Sequence, residues 1–185
     1  MRSLAVCLVL SLAVVGNPVR SETFRSPGPP FSITYPDGWK IQPAGEGLLT
    51  RAVGPGSAMN VSVAAASQAD FDADRFTNAE LEAIGERLAA SVANDLKDFE
   101  LLERGIATLG GKRAAYFRWR ARSEVPSGPV ETVGTYVATA HRGLVYSVTG
   151  VTKTRLARRT QPLIQSAIGS FRFLDVGVPG EAEAP

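Results

Sequence analysis

Between Phe99 and Ser123 the chain reads FELLERGIATLGGKRAAYFRWRARS. Two runs of strand character meet there at Gly110-Gly111, and adjacent glycines accept the positive φ angles that a two-residue hairpin turn demands. In the second run Ala115, Phe117, Trp119 and Ala121 fall on one side of a strand, and Lys112, Tyr116, Arg118, Arg120 and Arg122 on the other. A long hairpin with one apolar face needs a layer to bury that face. This requirement constrains the rest of the chain.

The same pattern recurs. VETVGTYVATAHRGLVYSVTGVT predicts a second hairpin turning near His141-Arg142-Gly143. Phe31, Ile33 and Tyr35 alternate with Ser32 and Thr34, and Trp39 and Ile41 resume the alternation beyond Pro36-Asp37-Gly38. This predicts a first hairpin over Phe31–Gln42, with Trp39 capping the core. Leu48–Val53 follows as a strand, GPGS turns the chain, and Met59, Val61 and Val63 share the next strand's face.

Two segments have helical spacing. Thr77-Asn78-Ala79-Glu80 has the form of a capping box, and Leu81, Ile84, Leu88, Val92 and Leu96 form one stripe, predicting a helix over Thr77–Asp98. TRLARRTQPLIQSAIGSF is mostly helical, with Leu163, Ile164, Ala167 and Ile168 as its apolar face. Pro162 either opens its second part or kinks it. FRFL closes the domain. Consecutive hairpins with segregated helices predict an α+β domain with an antiparallel sheet.

The ends read differently. MRSLAVCLVLSLAVVGNPVRS has a positive start, an apolar stretch and a cleavage-like Val19-Arg20-Ser21, the pattern of a secretory signal peptide over 1–21. The apolar stretch is shorter than the ~20 residues a membrane span needs. Cys7 lies in this segment and follows Val6, which does not suit a lipobox. Without the segment the chain has no cysteine and no disulfide chemistry. Arg2 and Arg20 leave with it, so twenty basic residues fall to eighteen against eighteen acidic ones. A neutral domain has no general affinity for nucleic acid. Residues 22–30 are expected to be an extended, mobile Pro-rich lead, 31–175 the folded domain, and 176–185 a disordered tail. The expected compartment is periplasmic or extracellular, with no membrane span expected in the mature chain.

The phrases FSITYPDGWKI, IATLGGKRAAYFRWRAR, TYVATAHRGLVYSVTGVT and LIQSAIGSFRFL, in this order across Phe31–Leu174, resemble the PsbP-like superfamily. That superfamily includes the extrinsic oxygen-evolving photosystem protein, the Mog-type nuclear-import factor and many secreted bacterial domains of unknown function. The resemblance implies an α/β/α sandwich around a central antiparallel sheet, no enzymatic activity and no cofactor, and action by docking on a larger assembly. No metal-binding residue is carried over.

Catalytic patterns are missing. His141 is the sole histidine and sits at a predicted turn, where solvent exposure is expected. No nucleophile elbow, phosphate loop or zinc motif occurs. Asp70, Asp72 and Asp74 imitate the start of a calcium loop, but Arg75 and Leu81 stand where glycine and glutamate belong. Acids before a helix start are favoured by its dipole in any case.

The remaining candidate is the face carrying Tyr116, Arg118, Arg120 and Arg122. Stacked cations repel unless neighbouring strands bring acids such as Glu103, Glu124 or Glu131, or a partner does. With Tyr116 as an aromatic anchor, the stripe is a candidate docking surface for a protein or envelope assembly, and Arg155, Arg158 and Arg159 are candidate extensions of it. The alternative is a carrier that holds a small anionic or amphipathic ligand between sheet and helix, with arginines at the mouth.

Overall fold

The computed structural model describes residues 21–43, 48–65, 72–125 and 128–174, so the proposed leader and tail lie outside the described residues. Ten strands and two helices follow in the order β1 (Glu22–Arg25), β2 (Phe31–Tyr35), β3 (Lys40–Gln42), β4 (Thr50–Gly54), β5 (Ser57–Ala65), α1 (Asn78–Asn94), β6 (Lys97–Leu109), β7 (Lys112–Val125), β8 (Gly128–His141), β9 (Leu144–Lys153), α2 (Ala157–Ser170) and β10 (Arg172–Phe173). Seven strands form one sheet in the order β3-β4-β5-β9-β8-β7-β6, and β1-β2-β10 form a second, smaller sheet. All the pairings are antiparallel. Two meanders, β3-β4-β5 and β6-β7-β8-β9, are thus joined edge to edge by the β5–β9 pairing.

Both glycine-bearing turns form as the residues predict. Gly110 and Gly111 adopt φ of 61° and 81°, and Arg142 and Gly143 adopt 50° and 73°, the mirror-image turn that matches strand twist.

The register assigns each layer. Phe117, Trp119 and Ala121 of β7 pack with Ala89, Leu88 and Val92 of α1, so α1 covers that side of the large sheet. On the opposite side Tyr146 and Val148 of β9 and Val137 of β8 pack with Ile164, Ala167, Ile168, Phe171 and the small sheet's Phe31 and Ile33. The result is an α/β/α sandwich in which α2 and the small sheet share one face. The Tyr35 hydroxyl donates to Thr50 Oγ1 at 3.2 Å, tying β2 to β4. Burial pushes that phenol up to about 12, against the opposing pull of the Thr50 hydrogen bond.

Several expectations are corrected. Phe31–Gln42 is not a hairpin: a turn closed by Trp39 N–H donating to the Pro36 carbonyl at 3.1 Å hands the chain from the small sheet to the large one. Trp39 itself is buried at 6% exposure, as expected of a core cap. The Pro-rich lead is not free, because Glu22–Arg25 pairs with β2 and Phe24 packs against Phe31 at 5.9 Å. Helix α1 begins with Thr77 as N-cap and a complete capping box, but ends at Asn94 rather than Asp98. Asp95 N–H bonds back to Val92, Asp98 takes a φ of 52°, and Lys97 already pairs with Arg122. Strand pairing there overrides helical periodicity. Helix α2 runs through Pro162 as one helix, and Leu163 is 41% exposed instead of lying on the apolar face.

Candidate functional site

The first half of the α1 stripe meets no bulky partner. Opposite Leu81, Ile84 and Leu88 the sheet presents Ala138 and Ala140 of β8 and Val145 of β9, and these short side chains leave a cleft of about 470 Å³ between helix and sheet. Phe76 forms one of its walls, and Glu80 and Arg87 border it. The volume is that of a small-molecule site, and its lining is mostly hydrocarbon.

The cleft's polar edge is built by local chemistry. Thr77 N–H donates to Glu80 Oε2 at 2.7 Å, and Glu80 N–H donates to Thr77 Oγ1 at 3.3 Å. The Thr77 N–H, and the Thr77 hydroxyl that donates to the same Oε2 at 2.8 Å, hold the Glu80 carboxyl below its ordinary value. Glu86 on the same helix faces Arg104 at 3.0 Å. Arg87 is exposed and has no hydrogen-bond or ion-pair partner among the described residues. The border of the cleft therefore offers one uncommitted cation and one committed carboxylate.

The Phe76 wall is pinned to the sheet. The Arg113 guanidinium donates to the Phe76 carbonyl and to the Asn78 side chain. One turn earlier, Asp72 caps a 3-10 turn over Ala73–Arg75 by accepting Asp74 N–H at 3.1 Å. Asp72 also meets His141 Nδ1 at 3.2 Å and Lys112 Nζ at 3.5 Å, and Lys112 pairs with Asp74 as well. His141 is thus no solvent-facing turn residue: its side chain is 17% exposed, held by Asp72 and set against Phe173 at 4.3 Å between ring centres. The run of acids before the helix is engaged in ion pairs, although Asp70 lies outside the described residues. No group of three or more metal-ligating side chains occurs among the described residues.

Burial alone would raise the Asp72 carboxyl. The Asp74 N–H, His141, Lys112 and the Arg142 N–H together outweigh it and hold the group below its ordinary value of 3.8. A carboxyl depressed in the folded state adds stability that is present above its unfolded value and lost as pH falls through the folded one. The contribution of the Asp72 carboxylate to the stability gap between the wild type and Asp72→Asn is therefore expected to be present above about pH 4 and to be lost as pH falls below it. Urea unfolding across that range measures it, and a gap that widens in acid would refute the assignment.

The predicted stripe is assembled as expected, on the α2 side of β7. Its cations are met by acids from β6. Arg118 Nη1 donates to Glu103 Oε2 at 3.2 Å, Arg120 Nη1 to Glu100 Oε2 at 3.2 Å, and Arg122 Nε lies 3.3 Å from Asp98 Oδ2. The Tyr116 hydroxyl donates to the same Glu103 oxygen at 3.2 Å. Burial first, then the Glu103 charge, pushes that phenol up. Of the anticipated acids Glu103 is used, Glu100 and Asp98 meet Arg120 and Arg122, and the side chain of Glu124 lies outside what the structure describes. Irregularities in β6 between Lys97 and Glu100 and between Leu101 and Glu103 make this possible. Glu100 and Glu103 are three residues apart and would face opposite sides of a regular strand. The added residue of a bulge returns both to one face. Exposed pairs of this kind contribute about 0–1 kcal/mol each.

The cleft was not read residue by residue from the sequence. Leu81, Ile84 and Leu88 look like ordinary core, and the available signal was subtler: alanine at alternate positions of VATAH, where a fully packed strand would carry larger side chains.

An antiparallel sheet layered between helices and a minor sheet, open to solvent through an apolar cleft, defines the chain as an α+β sandwich domain with a ligand-sized groove. More specifically, its fold is PsbP-like. The solution structure of cyanobacterial PsbP (CyanoP) from Synechocystis sp. PCC 6803 is similar with a TM-score of 0.58 and 15% identity, over 92% of this chain and 99% of that one. A crystal structure from Bacteroides thetaiotaomicron is similar with a TM-score of 0.55 and 17% identity, over 85% of this chain and 50% of that longer one. No family profile matches the sequence, and no curated protein matches it. No helix among the described residues is long and apolar enough to cross a membrane.

Proposed function

We propose that this chain is a secreted, non-catalytic binding domain whose cleft between α1 and the sheet takes a small amphipathic anion. The observation that carries this reading is the pairing of a hydrocarbon-lined cleft of about 470 Å³ with the uncommitted Arg87 on its border. The cleft buries an alkyl or aromatic body, and Arg87 meets its carboxylate or other anionic head. Glu80, whose carboxylate is engaged by its own N-cap, attracts a cationic head less than a free carboxylate would, so Arg87 sets the preference. Docking on a protein or envelope assembly through Tyr116, Arg118, Arg120 and Arg122 has less support, since a carboxylate already faces each of these arginines.

Dodecanoate below its micellar concentration serves as the probe, with dodecanol as its neutral counterpart. Binding to the native state alone stabilises by about 2.7 kcal/mol at a hundredfold excess over Kd, which is roughly 5–10 °C in Tm for a domain of this size. Ala140→Phe fills the cleft floor and is expected to abolish the shift for both probes. Arg87→Glu is expected to weaken dodecanoate about tenfold, in line with the loss of one charge-assisted contact, and to leave dodecanol unchanged. A wild-type chain whose Tm does not rise saturably with either probe sinks the carrier reading.

A further inference from the structure

The start of α2 gathers cations that the fold leaves without acids. Lys153 and the exposed Arg155, Arg158 and Arg159 have no ion pair among the described residues, whereas Arg104, Arg118, Arg120 and Arg122 each face a carboxylate. The first turn of α2 has no acidic residue and no side-chain cap. Cations at the positive end of a helix dipole are repelled, the reverse of the favoured arrangement.

A second, independent feature lies under the same helix. Arg118 Nε and Gln161 Nε2 are both buried donors with no acceptor. Gln161 is only 7% exposed, and its Oε1 already accepts from Thr135 Oγ1 at 3.1 Å. Thr135 is the cross-strand partner of Arg118. Both orphaned donors therefore belong to residues that neighbour Thr135, Arg118 across the sheet and Gln161 from the helix. Arg158 stands one turn before Gln161, a spacing that makes the two neighbours on a helix surface. A buried donor left without an acceptor costs about 1–3 kcal/mol. A neutral acceptor would satisfy the donors but not the excess of positive charge above them; an oxyanion answers both.

We propose that the seam where α2 meets the Thr135–Arg118 pair of β8 and β7 is an oxyanion subsite, in which Arg118 Nε and Gln161 Nε2 bind a carboxylate or phosphate oxygen and Arg158 supplies the uncommitted charge. Because Arg118 Nη1 stays on Glu103, the subsite uses only the inner edge of the guanidinium. It lies on the face of the sheet opposite the α1 cleft and is independent of the ligand proposed there.

The test is an NMR titration of the mature chain, following the Arg118 Nε–H and the Gln161 side-chain amide at constant ionic strength set by chloride. Inorganic phosphate and acetate are titrated separately. Saturable shifts of both groups with at least one probe are expected. Arg158→Ala, an exposed change that leaves the core intact, is expected to weaken that binding about three- to tenfold. Gln161→Glu supplies the acceptor from within and is expected to abolish the titration while preserving the fold. Ala140→Phe, which closes the α1 cleft, is expected to leave it unchanged. Shifts that stay linear and match those of chloride would overturn the subsite. So would an atomic-resolution structure in which Gln161 Oε1 accepts the Arg118 Nε–H, because no donor would then lack an acceptor.

Discussion

Replacing Gly134 by alanine is expected to destabilise the domain by ~3 kcal/mol, at the upper end of what overpacking costs. A methyl group built there would lie 2.0 Å from Trp119 Cζ2 and 2.2 Å from its Cε2, far inside the ~3.5–4.0 Å at which carbons attract. Gly134 is the cross-strand partner of Trp119, and the indole lies across the bare backbone. The ring cannot withdraw easily, since it is 3% exposed and packed among Phe117, Ala89 and Val92 beneath α1. Trp119→Ala alone is expected to cost about 3–5 kcal/mol. In that background Gly134→Ala should become neutral or favourable, because alanine loses about 0.5–1 kcal/mol less than glycine in a strand. A double-mutant cycle by urea unfolding measures the coupling. If Gly134→Ala costs the same with and without the indole, the close approach is not what requires glycine.

Phe171→Ala is the second large effect, about 3–5 kcal/mol. Phe171 is fully buried, stacks on Phe31 at 5.1 Å with 12° between planes, and meets Tyr146 edge-on at 6.2 Å. It joins three parts of the molecule: the end of α2, the small sheet through Phe31, and the large sheet through Tyr146. Its truncation is expected to lower protection of the β2 and β10 amides more than that of β7 and β8, because the large sheet keeps its ladder and its α1 layer. Native-state hydrogen exchange resolves the two sheets. Equal losses in both would mean that Phe171 stabilises the domain without joining its layers.

The contrast between these two sites shows what a sequence makes legible. The alternation in KRAAYFRWRAR placed Trp119 on an apolar face correctly, because side-chain direction in a strand is a local property. That Gly134 lies beneath the indole is a matter of register between β7 and β8, which no short-range pattern encodes. The Phe31–Gln42 stretch makes the same point. Both its strands and its turn form, yet they do not pair with each other, since β2 finds β1 on one side and β10, some 140 residues later, on the other. The stripe of Tyr116, Arg118, Arg120 and Arg122 was legible as a face. Its acids at Glu100 and Asp98 were not, because the irregularities of β6 reset which residues share that face.

By itself, the sequence determined the strand and helix segments, the two glycine-bearing hairpins, the capping box at Thr77, and an antiparallel α+β domain with the PsbP-like order of elements. The segments, hairpins and capping box follow from backbone preferences and periodicities that act over a few residues, and the PsbP-like order from the resemblance of the quoted phrases to that superfamily. Only the tertiary structure decided that the lead joins a second sheet, that His141 is held by Asp72, and that the stripe arginines face acids. It also brought together the residues of the two proposed sites. The cleft is made by residues 76–88 and 138–145, and the proposed subsite by Arg118 and Gln161, which both neighbour Thr135. These come together only when long-range strand pairing and layer packing have brought distant parts of the chain onto one face.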